Sequence, residues 1–142
     1  MSQKFWQCRD RSIDLSSPKI MGIVNVTPDS FSDGGKYYSS VHAIEHGFQL
    51  AEEGADILDI GGESTRPGAD EVSVHSELER VIPVIEALSA RGLVVSVDTS
   101  KPEVMTAAAQ VGAQMINDVY ALRREGALEA AEKSGCGVCL MH

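Results

Sequence analysis

Short apolar runs recur along the chain, and the segments between them repeat apolar residues at helical spacing. Five of these runs contain too few polar residues for strands with one face in water, which predicts strands buried on both faces of a parallel sheet. The runs are Ile20–Val26, Ile57–Ile60, Val94–Val97, Met115–Ile116 and Val138–Met141. Ahead of them, Phe5–Gln7 and Ile13–Leu15 flank a polar turn and predict a short hairpin.

The segments between the runs predict amphipathic helices. One apolar stripe comprises Val41, Ile44, Phe48 and Ala51, and another comprises Leu78, Val81, Ile82, Ile85 and Leu88. Ser100 and Glu103 have the spacing of a capping box at the start of a third helix, with Pro102 in its first turn. Pro83 predicts a bend in the second helix.

A repeated unit indicates how the strands are connected. Gly54–Asp59 lines up with Gly112–Asn117, and each copy joins a helix end, a Gly-Ala turn and a short buried strand. The repeat is therefore a βα unit, which predicts a parallel sheet with right-handed crossovers. No Gly-x-Gly-x-x-Gly follows the first strand, so the fingerprint of a dinucleotide-binding, doubly wound sheet is absent.

Polar residues cluster at the carboxyl ends of the predicted strands. They are Asn25, Asp59, Glu63, Asp98, Asn117, Asp118 and His142. A barrel collects side chains from many strands on one rim, whereas a doubly wound sheet concentrates its site at one switch point. We therefore predict an α/β fold, a parallel (β/α)8 TIM-type barrel of which the first four to five βα units are present.

The length of 142 residues suits one domain, whereas such a barrel typically needs about 250 residues. We expect residues 1–142 to form a partial barrel domain, truncated in or just after the fifth strand. The alternative is an α/β domain that is smaller than a full barrel by nature and not by truncation.

The composition narrows the choice of partners and compartment. Twelve basic and 21 acidic residues give a net charge of −9, so no basic face is expected to bind nucleic acid. An anionic ligand would need local arginines, backbone amides or a metal. No apolar stretch is long enough to span a membrane, and three cysteines without a disulfide framework predict a reducing cytoplasm.

Two short motifs suggest metal or redox chemistry and are set aside. His42 and His46 spell an inverted zinc-protease pattern, but helical geometry turns both away from the apolar stripe, which predicts surface histidines. Cys136 and Cys139 supply half of a structural zinc site at most, and Cys139 lies in an apolar run that predicts a packed thiol.

Two long segments, Met21–Gly35 and Gly54–Gly68, resemble the signature segments of dihydropteroate synthases. Val97–Pro102 and Ile116–Asp118 match the next two strand ends of that family in order and spacing, and the likeness covers about Ile13 to His142. The resemblance implies a folate-pathway transferase that condenses 6-hydroxymethyl-7,8-dihydropterin pyrophosphate with p-aminobenzoate, releases pyrophosphate and is the target of sulfonamides.

The resemblance also implies roles for the strand-end residues. Asn25 corresponds to the family asparagine near Mg²⁺ and the pyrophosphate. Asp98 and Asn117 correspond to residues that bind the pterin ring, where a carboxylate and an amide suit its donors and acceptors. Asp98, Asn25 and Arg66 form the implied catalytic set. Asp59 is expected either to contact ligand or to orient its neighbours.

The loop residues receive roles in the same way. Thr65 and Arg66 are implied to bind pyrophosphate, and Phe31, Thr65 and Pro67 to line the p-aminobenzoate pocket. Asp33 and Ser64 lie in the two loops expected to close as lids.

Members of the family carry further essential side chains and a homodimer interface in their later strands and helices. The resemblance therefore implies small-molecule substrates and a chain that is inactive alone. The charge and the apolar pattern add the expectation that neither nucleic acid nor a membrane is a partner. Two alternatives stay open at this point: a methyltetrahydrofolate-binding methyltransferase domain, and a non-catalytic half-barrel.

Overall fold

The computed structural model describes residues 5–9, 11–26, 35–62, 72–118 and 122–140, with the backbone alone at 35–39 and 140. The strands are β1 (Phe5–Cys8), β2 (Arg11–Asp14), β3 (Met21–Asn25), β4 (Ile57–Gly61), β5 (Val94–Asp98), β6 (Met115–Asp118) and β7 (Gly137–Leu140). The helices are α1 (Gly35–Glu52), α2 (Val74–Ala90), α3 (Pro102–Gln110) and α4 (Ala127–Ser134).

The main sheet has five parallel strands in the order β3-β4-β5-β6-β7. One helix lies in sequence between each pair of neighbouring strands, as βα repetition requires. The strand order follows the chain without the reversal that defines a doubly wound sheet. This confirms the predicted first units of a (β/α)8-type arrangement.

The outer face of the sheet packs against the helices. Its main core comprises Val24, Leu58, Ile60, Val95, Val97 and Ile116 from the strands, together with Val81, Val84, Ile85 and Leu88 from α2. The stripe predicted for α2 is confirmed at Val81, Ile85 and Leu88, whereas Leu78 and Ile82 are only partly buried. In the described residues, no helix is long and apolar enough to cross a membrane.

The stripe predicted for α1 is displaced from the buried face of that helix. Ile44 and Phe48 are only partly buried, whereas Ala43 is 5% exposed and Gly47 is also buried. A Cβ atom at Gly47 would lie 2.9 Å from two methyl groups of Leu88. Because α1 approaches α2 through a residue with no side chain, a search for apolar residues missed the centre of the contact.

The predicted hairpin forms from β1 and β2, with bounds shifted by one or two residues. It packs under the inner face of the sheet, at the amino ends of the parallel strands. This second core comprises Cys8, Ile13, Ile57 and Met115, flanked by Trp6, Met21 and Val94. Arg9 in the hairpin turn has φ 58° and donates hydrogen bonds to the carbonyls of Ala109 and Ala113 at the end of α3. The hairpin therefore closes one end of the inner face.

The predicted capping box is wrong. The cap of α3 is Lys101, without a side-chain cap bond, and Oγ of Ser100 is buried with no partner among the described residues. The hydroxyl of Thr99 accepts the Lys101 amide instead, at 3.2 Å. Tertiary contacts thus displace the helix start by one residue. Helix α2 continues through Pro83, and its bend stays a prediction.

Candidate active site

One rung of the sheet carries the three strand-end residues that the sequence singled out. Asn25 pairs with Gly61, Gly61 with Asp98, and Asp98 with Asn117. Paired residues of neighbouring strands point to the same face, so all three side chains lie on the inner face at the end opposite the hairpin. At about 4.8 Å per strand, Asp98 is next to Asn117, and Asn25 is roughly 14 Å from it along the sheet.

The inner face is concave enough for side chains of non-adjacent strands to meet. Nδ2 of Asn117 on β6 donates a hydrogen bond of 3.1 Å to Oδ2 of Asp59 on β4, across the intervening strand β5. Asp59 is 3% exposed and lies two residues before Gly61 on β4, on the same face of the sheet as the three strand-end residues. The structure therefore places Asp59 beneath Asn117, where its hydrogen bond to Nδ2 can fix the orientation of the Asn117 side-chain amide.

Asp59 and its register partner Ser96 form the floor of the site beneath the rung, and burial governs the electrostatics of this floor. Desolvation raises the pKa of Asp59, and the side chains of Ser96 and Asn117 partly offset that rise. Within the described part of the chain, Oδ1 of Asp59 and Oγ of Ser96 are buried without a hydrogen-bond partner. The two side chains are nevertheless close enough for Ser96 to lower the Asp59 pKa, so they form a buried polar pair beneath the rung.

Gly61 keeps the centre of the rung open. A Cβ atom there would lie 3.4 Å from Cβ of Asp98 and 3.5 Å from its Oδ2. Because residue 61 has no Cβ atom, its own side chain does not occupy the space beside the Asp98 carboxylate.

The predicted loop residues lie outside the described residues: Phe31, Asp33, Ser64, Thr65, Arg66 and Pro67. Both loops leave the sheet directly from the rung. The Val26 amide donates to the Gly61 carbonyl at 2.7 Å, and Arg80 Nη1 donates to the Gly62 carbonyl at 2.8 Å. The first loop therefore begins two residues after Asn25, and the second begins two residues after Gly61, the register partner of Asp98.

The sequence reasoning missed a buried ionic network beside the rung. Glu77 on α2 is 1% exposed and binds Nζ of Lys101 at 2.7 Å and the hydroxyl of Thr99 at 2.5 Å. A signal was available, because Glu77 falls at helical spacing within the stripe of Val81 and Ile85, where a charged residue needs a buried partner.

The metal and redox motifs have no site around them. His42 and His46 are exposed, which confirms the surface assignment, and the described residues contain no group of three or more His, Cys, Asp or Glu placed to hold a metal. Cys139 is exposed, so its assignment as a packed thiol is wrong. The reason is its place on the inner face of β7, at the edge of the described sheet.

Two open clefts lie away from the rung. One, of about 580 Å³, is lined by Ser73, Lys101, Glu103 and Arg124 at the helix starts. The other, of about 720 Å³, lies at the hairpin end with Arg9, whose guanidinium is engaged by backbone carbonyls. Neither cleft has a set of polar side chains that point to one common ligand position. We therefore place the candidate site at the rung.

Comparison with known proteins gives a consistent result. The family model described as "Pterin binding enzyme" matches residues 21–142. Dihydropteroate synthase of Escherichia coli K12 is 60% identical over 132 residues, covering 92% of this chain and 47% of that protein. The corresponding enzyme of Mycobacterium leprae is 43% identical over 131 residues, covering 92% and 46%.

Solved structures agree in fold. Xanthomonas albilineans dihydropteroate synthase with 4-aminobenzoic acid has a TM-score of 0.89 at 59% identity, covering 96% of this chain and 50% of that one. The Burkholderia cenocepacia enzyme complexed with 7,8-dihydropteroate has a TM-score of 0.86 at 40% identity, covering 100% and 48%.

The chain, with its barrel-type sheet and polar rim, thus belongs to the family described as pterin binding enzymes. The relatives that it matches are dihydropteroate synthases. The chain spans about half the length of these curated relatives.

Proposed function

We propose that this chain supplies the pterin-binding and pyrophosphate-binding half of a dihydropteroate synthase. The reaction would join 6-hydroxymethyl-7,8-dihydropterin pyrophosphate to p-aminobenzoate and release pyrophosphate. The observation that carries the proposal is the single rung that holds Asn25, Asp98 and Asn117 above a buried polar floor. Support also comes from two relatives described with 4-aminobenzoic acid and with 7,8-dihydropteroate.

The pterin would bind against Asp98 and Asn117. Because Asn117 Nδ2 is engaged by Asp59, the Asn117 side-chain oxygen would serve the ligand as an acceptor. The Asp98 carboxylate adds acceptors on the next strand, and the pterin presents a guanidine-like edge of N–H donors. Asp98 would also stabilise positive charge that develops on the pterin as pyrophosphate leaves.

The pyrophosphate would bind at the Asn25 end of the rung, together with Thr65 and Arg66. A chain with a net charge of −9 needs local cations for this anion, and Arg66 offers a planar fork for phosphate oxygens. The exposed Asn25 amide fits Mg²⁺, which takes oxygen ligands and relies on few protein groups beside substrate phosphates. When bound, Mg²⁺ would neutralise charge on the departing pyrophosphate.

The two loops would complete the second half of the site. Phe31, Thr65 and Pro67 would line the p-aminobenzoate pocket, which sulfonamides would share, and Asp33 and Ser64 would lie on the closing loops. The remaining side chains and the homodimer interface would come from sequence that matches the rest of the relatives' length. We place this chemistry in the cytoplasm.

A fusion protein tests the proposal. Residues 1–142 are joined to the part of the Escherichia coli relative that this chain does not match, and condensation is followed by pyrophosphate release. We expect Mg²⁺-dependent turnover that sulfonamides inhibit, and a loss of at least about a hundredfold for Asp98→Asn, which removes an electrostatic contact to the transition state.

Asp56→Asn is the matched control, because Asp56 is exposed at the opposite end of β4 and an amide oxygen can still accept the Ile20 amide. That variant should keep wild-type turnover. A folded fusion that lacks activity, or one in which both substitutions have equal effects, would refute the proposal.

A further inference from the structure

A buried ionic network lies directly behind the rung, outside the groups assigned to ligand. The carboxylate of Glu77 uses both oxygens, since Oε1 accepts from Lys101 Nζ at 2.7 Å and Oε2 from the Thr99 hydroxyl at 2.5 Å. Glu77 and Lys101 are 1% and 5% exposed. Removing two charges from water in this way adds little net stability, because desolvation offsets much of the attraction.

The network joins three elements at the point where the rung ends. Glu77 is in the first turn of α2, and Thr99 immediately follows Asp98. The Thr99 amide donates to the Asn117 carbonyl at 3.1 Å, so the same residue also binds β6. One side chain from α2 therefore holds the backbone between the two proposed pterin-binding residues.

Helix α2 makes a second attachment one turn further along. Arg80 Nη1 donates to the Gly62 carbonyl at 2.8 Å, and a Cβ atom at Gly62 would lie 3.4 Å from Cγ of Glu77. The amino-terminal part of α2 thus holds the ends of β4 and β5 at once. These two strand ends carry Gly61 and Asp98, which are neighbours on the rung.

We propose that Glu77, Thr99 and Lys101 are positioning residues, which fix the carboxyl end of β5 and thereby the geometry between Asp98 and Asn117. The relevance to pterin binding rests on the proposed function, whereas the positioning itself does not. A cross-element ionic network suits this task because its direction-dependent bonds permit one backbone arrangement, which apolar packing alone specifies less narrowly.

The first measurement is amide hydrogen exchange in the 142-residue chain. Glu77→Gln keeps the shape and removes the charge, and we expect protection of the Thr99 and Lys101 amides to fall about tenfold or more relative to Val97 in the same strand. Glu79→Gln is the matched control, because it makes the same change on the same helix at a carboxylate that contacts His75 at the surface. It should leave the Thr99 amide unchanged.

The second measurement separates positioning from stability. Glu77→Gln removes the carboxylate that binds the buried Lys101 charge, so a double variant, Glu77→Gln with Lys101→Met, should recover the urea midpoint. If the network positions the rung, the double variant stays more than about tenfold less protected at Thr99 despite its recovered stability. Recovery of both properties together, or a uniform loss across the sheet in the single variant, would overturn the proposal.

Affinity for 6-hydroxymethyl-7,8-dihydropterin pyrophosphate, measured in the fusion protein, distinguishes the two proposals. Weaker binding by the double variant supports both of them. If the unsubstituted fusion binds no pterin, the proposed function fails, while the exchange pattern still decides whether the network positions the rung. Unchanged affinity in a double variant with disturbed exchange would overturn the link to ligand binding.

Discussion

Asp59 carries a carboxylate into the concave inner face, where it contacts Asn117 and is almost fully buried. Burial raises its pKa, which means that folding favours the protonated form. The folded state therefore binds more protons than the unfolded state between the ordinary carboxyl pKa and the raised one. In that window, the contribution of Asp59 to stability falls as the pH rises.

Asp59→Asn should remove this dependence. An amide at position 59 can still accept from Asn117, so the contact is retained while the titration is lost. We expect the difference in unfolding free energy between the variant and the wild type to favour the variant increasingly as the pH rises through the window, and to be constant above it. Urea denaturation at a series of pH values measures this, and a difference independent of pH would contradict the buried charge.

The positions of the candidate site residues could be predicted from the sequence to different extents. Asn25, Asp98 and Asn117 follow apolar runs directly, so their place at strand ends could be inferred from the sequence and is seen in the register. Their roles toward ligand stay predictions. Glu77 escaped notice because its partners Thr99 and Lys101 lie more than 20 residues away, and only the packing of α2 on the sheet brings them together.

The hairpin depends on a close contact with the last described strand. A Cβ atom at Gly137 would lie 2.4 Å from Sγ of Cys8 and 2.8 Å from ring atoms of Trp6. Cys8 belongs to the hairpin core and Trp6 flanks it, so the hairpin packs against position 137 because that residue has no side chain.

Gly137→Ala should displace the hairpin. Overpacking of this kind destabilises proteins by about 1–3 kcal/mol. Gly61→Ala is the control, since it makes the same change in a strand on the same face, with its nearest contact at an ordinary 3.4 Å. We expect thermal or urea unfolding to show a clear loss for the first variant and a small one for the second. Equal losses would contradict the account of the hairpin.

Elements were more predictable than the contacts between them. Uniform apolar runs identified all five parallel strands, because burial on both faces leaves a strong pattern. The start of α3 was misplaced, since Thr99 uses its hydroxyl in a tertiary network that no local pattern reveals. The centre of the contact between α1 and α2 was not predicted for a related reason. Gly47 lets the two helices approach closely but adds no apolar side chain that a sequence pattern would reveal.

On the scale of the whole molecule, the two ends of the inner face have different tasks. The amino ends of the strands are covered by the hairpin and its apolar core, while the carboxyl ends carry the polar rung and both loops. This division follows the general rule for such barrels, in which the carboxyl face carries the site and the other face supports stability. The sequence alone predicted the polar rim but gave no indication that the hairpin would close the opposite end.

Chemical-shift mapping can locate the bound ligand, which we expect at the rung. The fusion protein, labelled with ¹⁵N, is titrated with 6-hydroxymethyl-7,8-dihydropterin pyrophosphate in the presence of Mg²⁺. We predict the largest shifts at the amides of Asn25, Gly61, Asp98 and Asn117, with little change at Arg9 and Gly112 beside the hairpin. Shifts concentrated at the hairpin end, or none in a folded protein, would contradict the account.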